Sequence, residues 1–263
     1  LEGDEPLQLL ADHPHVRYDR NSFGGRLVTR FLREQQIDVQ VALELDELEA
    51  IVKMVECGLG VSLLPEAGFI AEEGSAVYKN EPYCWVIDPL DGTTNYIHDE
   101  APYCVCIALR SRTELLLGVV YEVCRDECFC AWRGGRAFMN GEEIHVSGVR
   151  DIKDAFVFAE LPYNAQQYKQ TALHLIDKLY GVVGGIRMNG SAAAAICYVA
   201  MGRFDAWAEA FLGKWDYSAA ALIVQEAGGR VTDFCGNGHF MDGHHIIATN
   251  GYLHSVYQQL IAE

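Results

Sequence analysis

Apolar residues recur along the chain in two rhythms, one of helix period and one of strand period. His15–Tyr18 reads as a short strand. Gly24 and Gly25 then precede a helical pattern with Leu27, Val28, Phe31 and Leu32 on one face. Val39–Leu43 predicts a second strand. Asp46 caps a further amphipathic helix, Asp46–Cys57, with Leu48, Ile51, Val52 and Val55 at i, i+3, i+4 and i+7. Gly58 ends it, and Val61–Leu64 is another short strand.

From Phe69 the character changes. Cys84–Ile87 reads as a buried strand running into Asp88-Pro89-Leu90-Asp91-Gly92. Tyr103–Leu109 and Leu116–Tyr121 form a strand pair, Cys128–Trp132 follows, and Asn140-Gly141 marks a hairpin turn. Val157–Glu160, Phe204–Trp207 and Ile246–Thr249 are further strands. Helices are predicted over Ala172–Leu179, over the alanine-rich Ser191–Met201, and over Asp216–Ala227, which Gly228-Gly229 closes. The chain finishes on a helix with Leu253, Val256, Tyr257 and Leu260 on one side, and Trp132 and Trp207 read as core. Antiparallel hairpins mixed with packed helices predict a layered α/β (α+β) fold without internal repeats.

Half of the 263 residues are hydrophobic, enough for a substantial core in one large domain or two small ones. The formal net charge of −17 argues against a nucleic-acid backbone as a major partner. It also constrains any phosphorylated substrate, because an acidic protein must import positive charge to hold it, and divalent metal is the obvious source. The nine cysteines read as reduced, mostly buried thiols, which suits a cytoplasmic protein. Cys104 with Cys106 and Cys128 with Cys130 are C-x-C pairs, and strand period puts each pair on one face; with no C-x-x-C, zinc is disfavoured. No apolar run approaches the roughly 20 residues of a membrane span, and no signal peptide is visible.

The informative segment is Trp85-Val86-Ile87-Asp88-Pro89-Leu90-Asp91-Gly92-Thr93-Thr94-Asn95. A buried strand ends in two carboxylates, Pro89 stiffens the bend, and Gly92 leaves backbone room beside whatever binds there. Thr93 and Thr94 start a helix whose N–H groups suit a phosphate. Carboxylate oxygens are the ligands magnesium prefers, and two metals about 4 Å apart suit in-line displacement at phosphorus. Supporting carboxylates are Glu72 and Glu73, which elsewhere would be an ordinary solvated pair, and Asp216, which is also a plain helix-cap candidate. His13, His15, His98, His239, His244 and His245 read as loop or surface histidines, since the site chemistry is all oxygen. Arg133, Arg136 and Lys214 read as surface charges, with Lys214 placed to face a substrate as well.

Residues 69–263 resemble the inositol-monophosphatase family of lithium-sensitive, magnesium-dependent phosphatases. Ala71-Glu72-Glu73-Gly74, Trp85 through Asn95, Gly190-Ser191-Ala192-Ala193, and Trp215-Asp216 followed by Glu226-Ala227-Gly228-Gly229 carry the resemblance. It implies a layered αβαβα sandwich, often dimeric, holding two or three Mg2+ ions. By the same resemblance, Glu72, Asp88 and the Leu90 carbonyl would hold the first metal, and Asp88, Asp91 and Asp216 the second. Thr93 and Glu72 would orient and deprotonate the attacking water, with Asp91 also in the catalytic set. The N–H groups of Gly92 and Thr93 would hold the phosphate. Gly190, Ser191, Ala192 and Glu209, with Asp216, would line the pocket for the alcohol. The implied reaction is hydrolysis of a small polyol phosphate such as inositol monophosphate, without a covalent enzyme intermediate; nucleotide 3′,5′-bisphosphates or sugar bisphosphates are the alternative substrates.

Residues 1–66 differ. Arg17 through Gly25, Leu43 through Ile51, and Gly58 through Pro65 are similar to part of the effector-binding domain of LysR-type transcription regulators. The expectation is therefore a chimera, with a regulator-like segment over residues 1–66 and a phosphatase-like domain over 67–263, in which activity is impaired or the first segment senses a ligand. No residue of the first segment takes the family's third-metal or lysine roles by motif, although Asp46 and Glu49 lie at roughly the right distance before Glu72.

Overall fold

The structure is a computed structural model of the chain. It describes residues 14–18, 20, 23–34, 36–45, 68–71, 83–162, 165–238 and 240–262. The chain divides into two compact units, Leu1–Glu66 and Ala67–Glu263. Glu72, Glu73, Asp46, Glu49, His13 and His239 lie outside the described residues, as do the predicted helix Asp46–Cys57 and strand Val61–Leu64.

In the first unit, strand β1 (His15–Tyr18), helix α1 (Phe23–Glu34) and strand β2 (Val41–Leu45) follow one another, and β1 pairs with β2 in parallel. Val28 and Leu32 of α1, two of the four residues of the helical stripe read from the sequence, are buried against Ile37 and Val39. Val39 packs against the helix and the second strand starts two residues later than its apolar run suggests. His15, expected in a loop or on the surface, is fully buried in β1. Burial and the nearby Arg17 charge push its imidazole below the ordinary range.

The second unit opens with β3 (Gly68–Ala71), β4 (Tyr83–Asp91) and the short helix α2 (Thr93–Ile97). An antiparallel run follows: β5 (Cys104–Ser111), β6 (Leu115–Glu122), β7 (Glu127–Trp132), β8 (Ala137–Met139) and β9 (Glu142–Glu143). These strands form a seven-stranded sheet in sequential order, with only β3 and β4 parallel. Asn140 and Gly141 take φ of 49° and 84°, the double left-handed pair that a tight hairpin needs.

Next come β10 (Phe156–Ala159), helix α3 (Ala165–Leu179), β11 (Gly185–Arg187), helix α4 (Ala192–Ala200), β12 (Ala206–Ala210), helix α5 (Lys214–Glu226), β13 (Arg230–Asp233), β14 (His245–Thr249) and helix α6 (His254–Ala262). The five strands form a second sheet in the order β11-β10-β12-β14-β13, parallel across β11, β10 and β12 and antiparallel beyond. The strand predicted over Phe204–Trp207 runs instead over Ala206–Ala210, and Phe204, just ahead of it, stacks on Phe156 and Phe158 at 4.3 and 3.8 Å.

Helices α4 and α5 lie between the two sheets, and α3 and α6 cover the far face of the five-stranded sheet. All nine residues of α4 are buried, and small alanines let it fit between two sheets. Close approach is also built into the sheet. A Cβ on Gly118 of β6 would lie 2.4 Å from the Ala219 carbonyl oxygen of α5, so only glycine lets that helix sit so near. The last helix buries Tyr257 and Ile261, with Leu253 buried just ahead of it, whereas Val256, expected on that face, is exposed. Trp207 is fully buried as expected; Trp132 is half-exposed instead, because it ends β7 and stacks on Phe138 at 5.5 Å on the sheet's outer surface. Cys104 and Cys106 are both buried, as the strand period predicts, and the described cysteines are free thiols. No helix among the described residues is long and apolar enough to cross a membrane.

Candidate active site

Strand β4 does not end at Ile87. It continues through Asp88-Pro89-Leu90-Asp91 with a break in register, Asp88 facing Cys106 and Asp91 facing Cys104. Two residues, Pro89 and Leu90, thus stand opposite the single Val105, which is a β-bulge. Proline has no N–H for the ladder and is tolerated at such a bulge. The bulge decides which way the carboxylates point. At a spacing of three, a regular strand would send Asp88 and Asp91 to opposite faces; one extra residue returns both to the same face. Both side chains are buried. The Leu90 N–H folds back to Asp88 Oδ1 at 2.9 Å, and the Leu90 carbonyl accepts from Thr93 Oγ1 at 2.9 Å.

Gly92 then turns the chain into α2 at φ 86°, and a Cβ there would stand 2.9 Å from the Pro102 carbonyl oxygen. Asn95 ties this helix down, donating to the carbonyls of Pro102 at 2.8 Å and Asn189 at 2.7 Å. The second of these bonds reaches the loop that carries Gly190 and Ser191. Ser191 caps α4, accepting from Ala194 N–H at 3.2 Å, and its hydroxyl donates to Asp91 Oδ2. The Ala193 N–H reaches the same oxygen at 3.0 Å. Ser191, predicted to line the pocket, therefore also fixes the rotamer of Asp91.

Asp216 enters from the first turn of α5, where its Oδ2 accepts from Gly213 N–H at 2.7 Å. The helix thus starts two residues earlier than predicted, and Asp216 is not its N-cap: Gly213 takes that position, and Asp216, the third helical residue, reaches back to its N–H. One carboxylate oxygen each from Asp88, Asp91 and Asp216 lie within 4.8 Å of one another. They open onto a pocket of about 330 Å³ that is also lined by Leu90, Gly92, Thr93, Gly190, Ala192 and Glu209. Every predicted site residue except Glu72 is therefore brought to one place, and Glu72 lies outside the described residues.

Sequence reasoning does not single out Glu160, Leu161 or Phe211, which line the same pocket. Glu160 follows β10 and accepts from the N–H groups of Asn189 at 2.9 Å and Gly190 at 3.4 Å. Its signal is the one that marks Asp88, a carboxylate closing an apolar strand.

The described lining holds five carboxylates, from Asp88, Asp91, Glu160, Glu209 and Asp216, and no lysine, arginine or histidine. Burial pushes Glu209 well above the ordinary carboxylate range, and the charges of Glu160, Asp216 and Asp91 push the same way. Burial also raises Glu160, partly offset by its two N–H bonds. Such a pocket repels a phosphate by itself. Its all-oxygen, anionic donor set fits a hard divalent cation, which would reverse the sign of the local field.

A family model, the inositol monophosphatase family, matches residues 27–263. The chain belongs to this family. The match opens well ahead of residue 69, and from residue 27 onward it takes in the stretch that resembles a LysR-type regulator, a reading that these matches do not support. Nus factor SuhB of Pseudomonas aeruginosa is 42% identical over 187 residues, covering 70% of this chain and 68% of the relative. Inositol-1-monophosphatase of Mesorhizobium japonicum is 36% identical, covering 71% of this chain and 70% of the relative. The structure of an inositol monophosphatase from Anabaena (Nostoc) superposes with a TM-score of 0.73 at 29% identity, over 81% of this chain and 83% of that one. The chain has the layered αβαβα sandwich fold of that family.

Proposed function

We propose that the second unit is a magnesium-dependent phosphomonoesterase that hydrolyses a small polyol phosphate such as inositol monophosphate. The observation that carries the proposal is the meeting of Asp88, Asp91 and Asp216 oxygens within 4.8 Å at the mouth of a short helix. The family membership and the name of the Mesorhizobium relative support the choice of reaction and substrate.

In this reading Asp88, Asp91, Asp216, the Leu90 carbonyl and Glu72 hold two or three magnesium ions. Bound there, the metal neutralises the phosphate and makes a nearby water acidic. The rest falls to the chain. Ser191 and the Ala193 N–H hold Asp91 in one rotamer, and Gly213 does the same for Asp216. Thr93, fixed on the Leu90 carbonyl, presents its hydroxyl oxygen to the attacking water, with Glu72 as the base. The first N–H groups of α2 receive the phosphate oxygens. Glu209 and Glu160 accept hydroxyl groups of the alcohol. The carboxylate-rich lining also suits a multiply hydroxylated alcohol better than a nucleotide or sugar bisphosphate, whose second phosphate would meet Glu160 and Glu209.

Release of inorganic phosphate from inositol 1-phosphate, measured with and without magnesium, tests this. Magnesium-dependent turnover that Asp88→Asn abolishes is the expected result. A well-folded chain that releases no phosphate under either condition would overturn it.

A further inference from the structure

The pocket has two chemically different sides. Its floor is carboxylate, but its rim carries two exposed apolar side chains, Leu161 at 53% and Phe211 at 43% exposure. Both follow from the register of the five-stranded sheet. Parallel strands β10 and β12 align Ala159 with Ala208, and one residue further along stand Glu160 and Glu209. At the end of each strand, a buried carboxylate is therefore followed within two residues by an exposed apolar residue at the pocket edge.

Phe211 is held there against its own preference. Its φ is 68°, in the left-handed region that glycine adopts freely and a bulky aromatic residue does not. The conformation is over-determined by its surroundings. The Phe211 N–H donates to His245 Nδ1 at 3.2 Å, and its ring stacks on Tyr168 of α3 with centroids 4.7 Å apart and planes 25° apart. A strained, partly exposed, ring-backed phenyl at the mouth of a polar pocket is a surface that a ligand face can complete.

We propose that Phe211, backed by Tyr168 and flanked by Leu161, is a specificity-determining platform for a cyclic polyol. A cyclic polyol presents polar edges and an apolar C–H face. Its edge hydroxyls reach Glu160 and Glu209 while the ring face lies on Phe211, whereas an acyclic polyol has no such face to offer. This deepens the phosphatase reading and rests on it.

The test compares kcat/KM for inositol 1-phosphate, the ester of a cyclic polyol, and glycerol 2-phosphate, the ester of an acyclic one, at saturating magnesium. The variants are Phe211→Gly and Tyr168→Ala. Glycine accepts the native backbone conformation, so Phe211→Gly should melt no earlier than the wild type. It should lower kcat/KM for inositol 1-phosphate roughly five- to tenfold, chiefly through KM, and change glycerol 2-phosphate less than about twofold. Tyr168→Ala should move the same ratio in the same direction by a smaller factor. Should Phe211→Gly melt early, Phe211→Asn, which also tolerates this region, carries the comparison. Equal losses on both esters, or no loss on inositol 1-phosphate, would overturn the platform and leave the phosphatase reading standing. No phosphate released from either ester by the wild type would overturn that reading and the platform with it.

Discussion

The hydroxyl of Ser191 donates to Asp91 Oδ2 while the same oxygen atom of Ser191 accepts the N–H of Ala194. One side chain therefore both caps α4 and fixes a candidate metal ligand on the seven-stranded sheet. Ser191→Ala should lose both functions. Loss of the cap should cost about 1 kcal/mol of stability. Asp91 keeps only the Ala193 N–H among these contacts, and magnesium affinity should fall roughly 10- to 100-fold, as for other groups that orient a ligand. Thermal melts read the first effect and a magnesium titration of phosphate release reads the second. Ser191→Asn should restore the cap more fully than the affinity.

Asp216 separates its two roles in another way. An asparagine side-chain oxygen can still accept the Gly213 N–H but is a poor metal ligand. Asp216→Asn should leave the metal-free melting temperature unchanged or slightly higher, since it removes one charge from a crowded set of carboxylates. It should lower activity by on the order of a hundredfold or more, and it should abolish any rise in melting temperature on adding magnesium. Asp216→Ala should additionally lose the reach-back bond to the Gly213 N–H, worth about 1 kcal/mol. Parallel melts of the two variants, with and without magnesium, check this.

Much of this site is legible in the sequence. Asp88, Asp91 and Asp216 are marked by an apolar strand or helix that meets a carboxylate, and Asn140-Gly141 declares its hairpin. Glu160 carries the same strand-end signal, but a single sequence cannot say that β10 lies beside β12 and so brings it to Glu209. The bulge at Pro89 is hidden for a related reason: the run looks like a strand that stops, and only pairing with β5 shows that it continues with an extra residue. Trp132 reads as core from its apolarity, and Val256 falls on the apolar side of the last helix by its spacing. Their exposure is set by which sheet face and helix side meet a partner, and that is a property of the assembled layers.

Gly118 illustrates a constraint from packing. A methyl group there would stand 2.4 Å from the Ala219 carbonyl oxygen and 3.0 Å from its backbone carbons. Backbone atoms of a buried helix cannot turn aside as a side chain can, so α5 must move off the sheet. Gly118→Ala should therefore destabilise by about 1–3 kcal/mol. Because α5 carries Asp216, magnesium affinity should weaken as well. Gly148, which has nothing within 4 Å of its Cβ position, provides the control: Gly148→Ala should leave both quantities near wild type. Denaturant midpoints and magnesium titrations of the two variants distinguish a steric cause from a general intolerance of alanine.

His254 gives the fold a pH dependence separate from the site. It is buried, with Nε2 2.9 Å from Thr232 Oγ1 and Nδ1 2.9 Å from Thr249 Oγ1. Thr232 gives its only proton to the Asp233 carbonyl, so it must accept from Nε2–H. Nδ1 then accepts from Thr249, whose oxygen already receives the Gly251 N–H. Every partner is thus satisfied by the neutral ring. Burial, with Arg230 adding to it, lowers the imidazole pKa from 6.5 to about 4. A depressed folded-state value means that the unfolded chain takes up the proton first. Stability from this residue is complete above pH 6.5, declines as pH falls toward 4, and levels off below that. The loss over that window should be on the order of 3 kcal/mol. Carboxylates titrate in part of the same window, so the informative quantity is the difference from His254→Gln, which cannot take up the proton. Melting temperatures from pH 8 to 4 should fall more steeply for the wild type than for the variant, and parallel curves would show that His254 is not the group responsible.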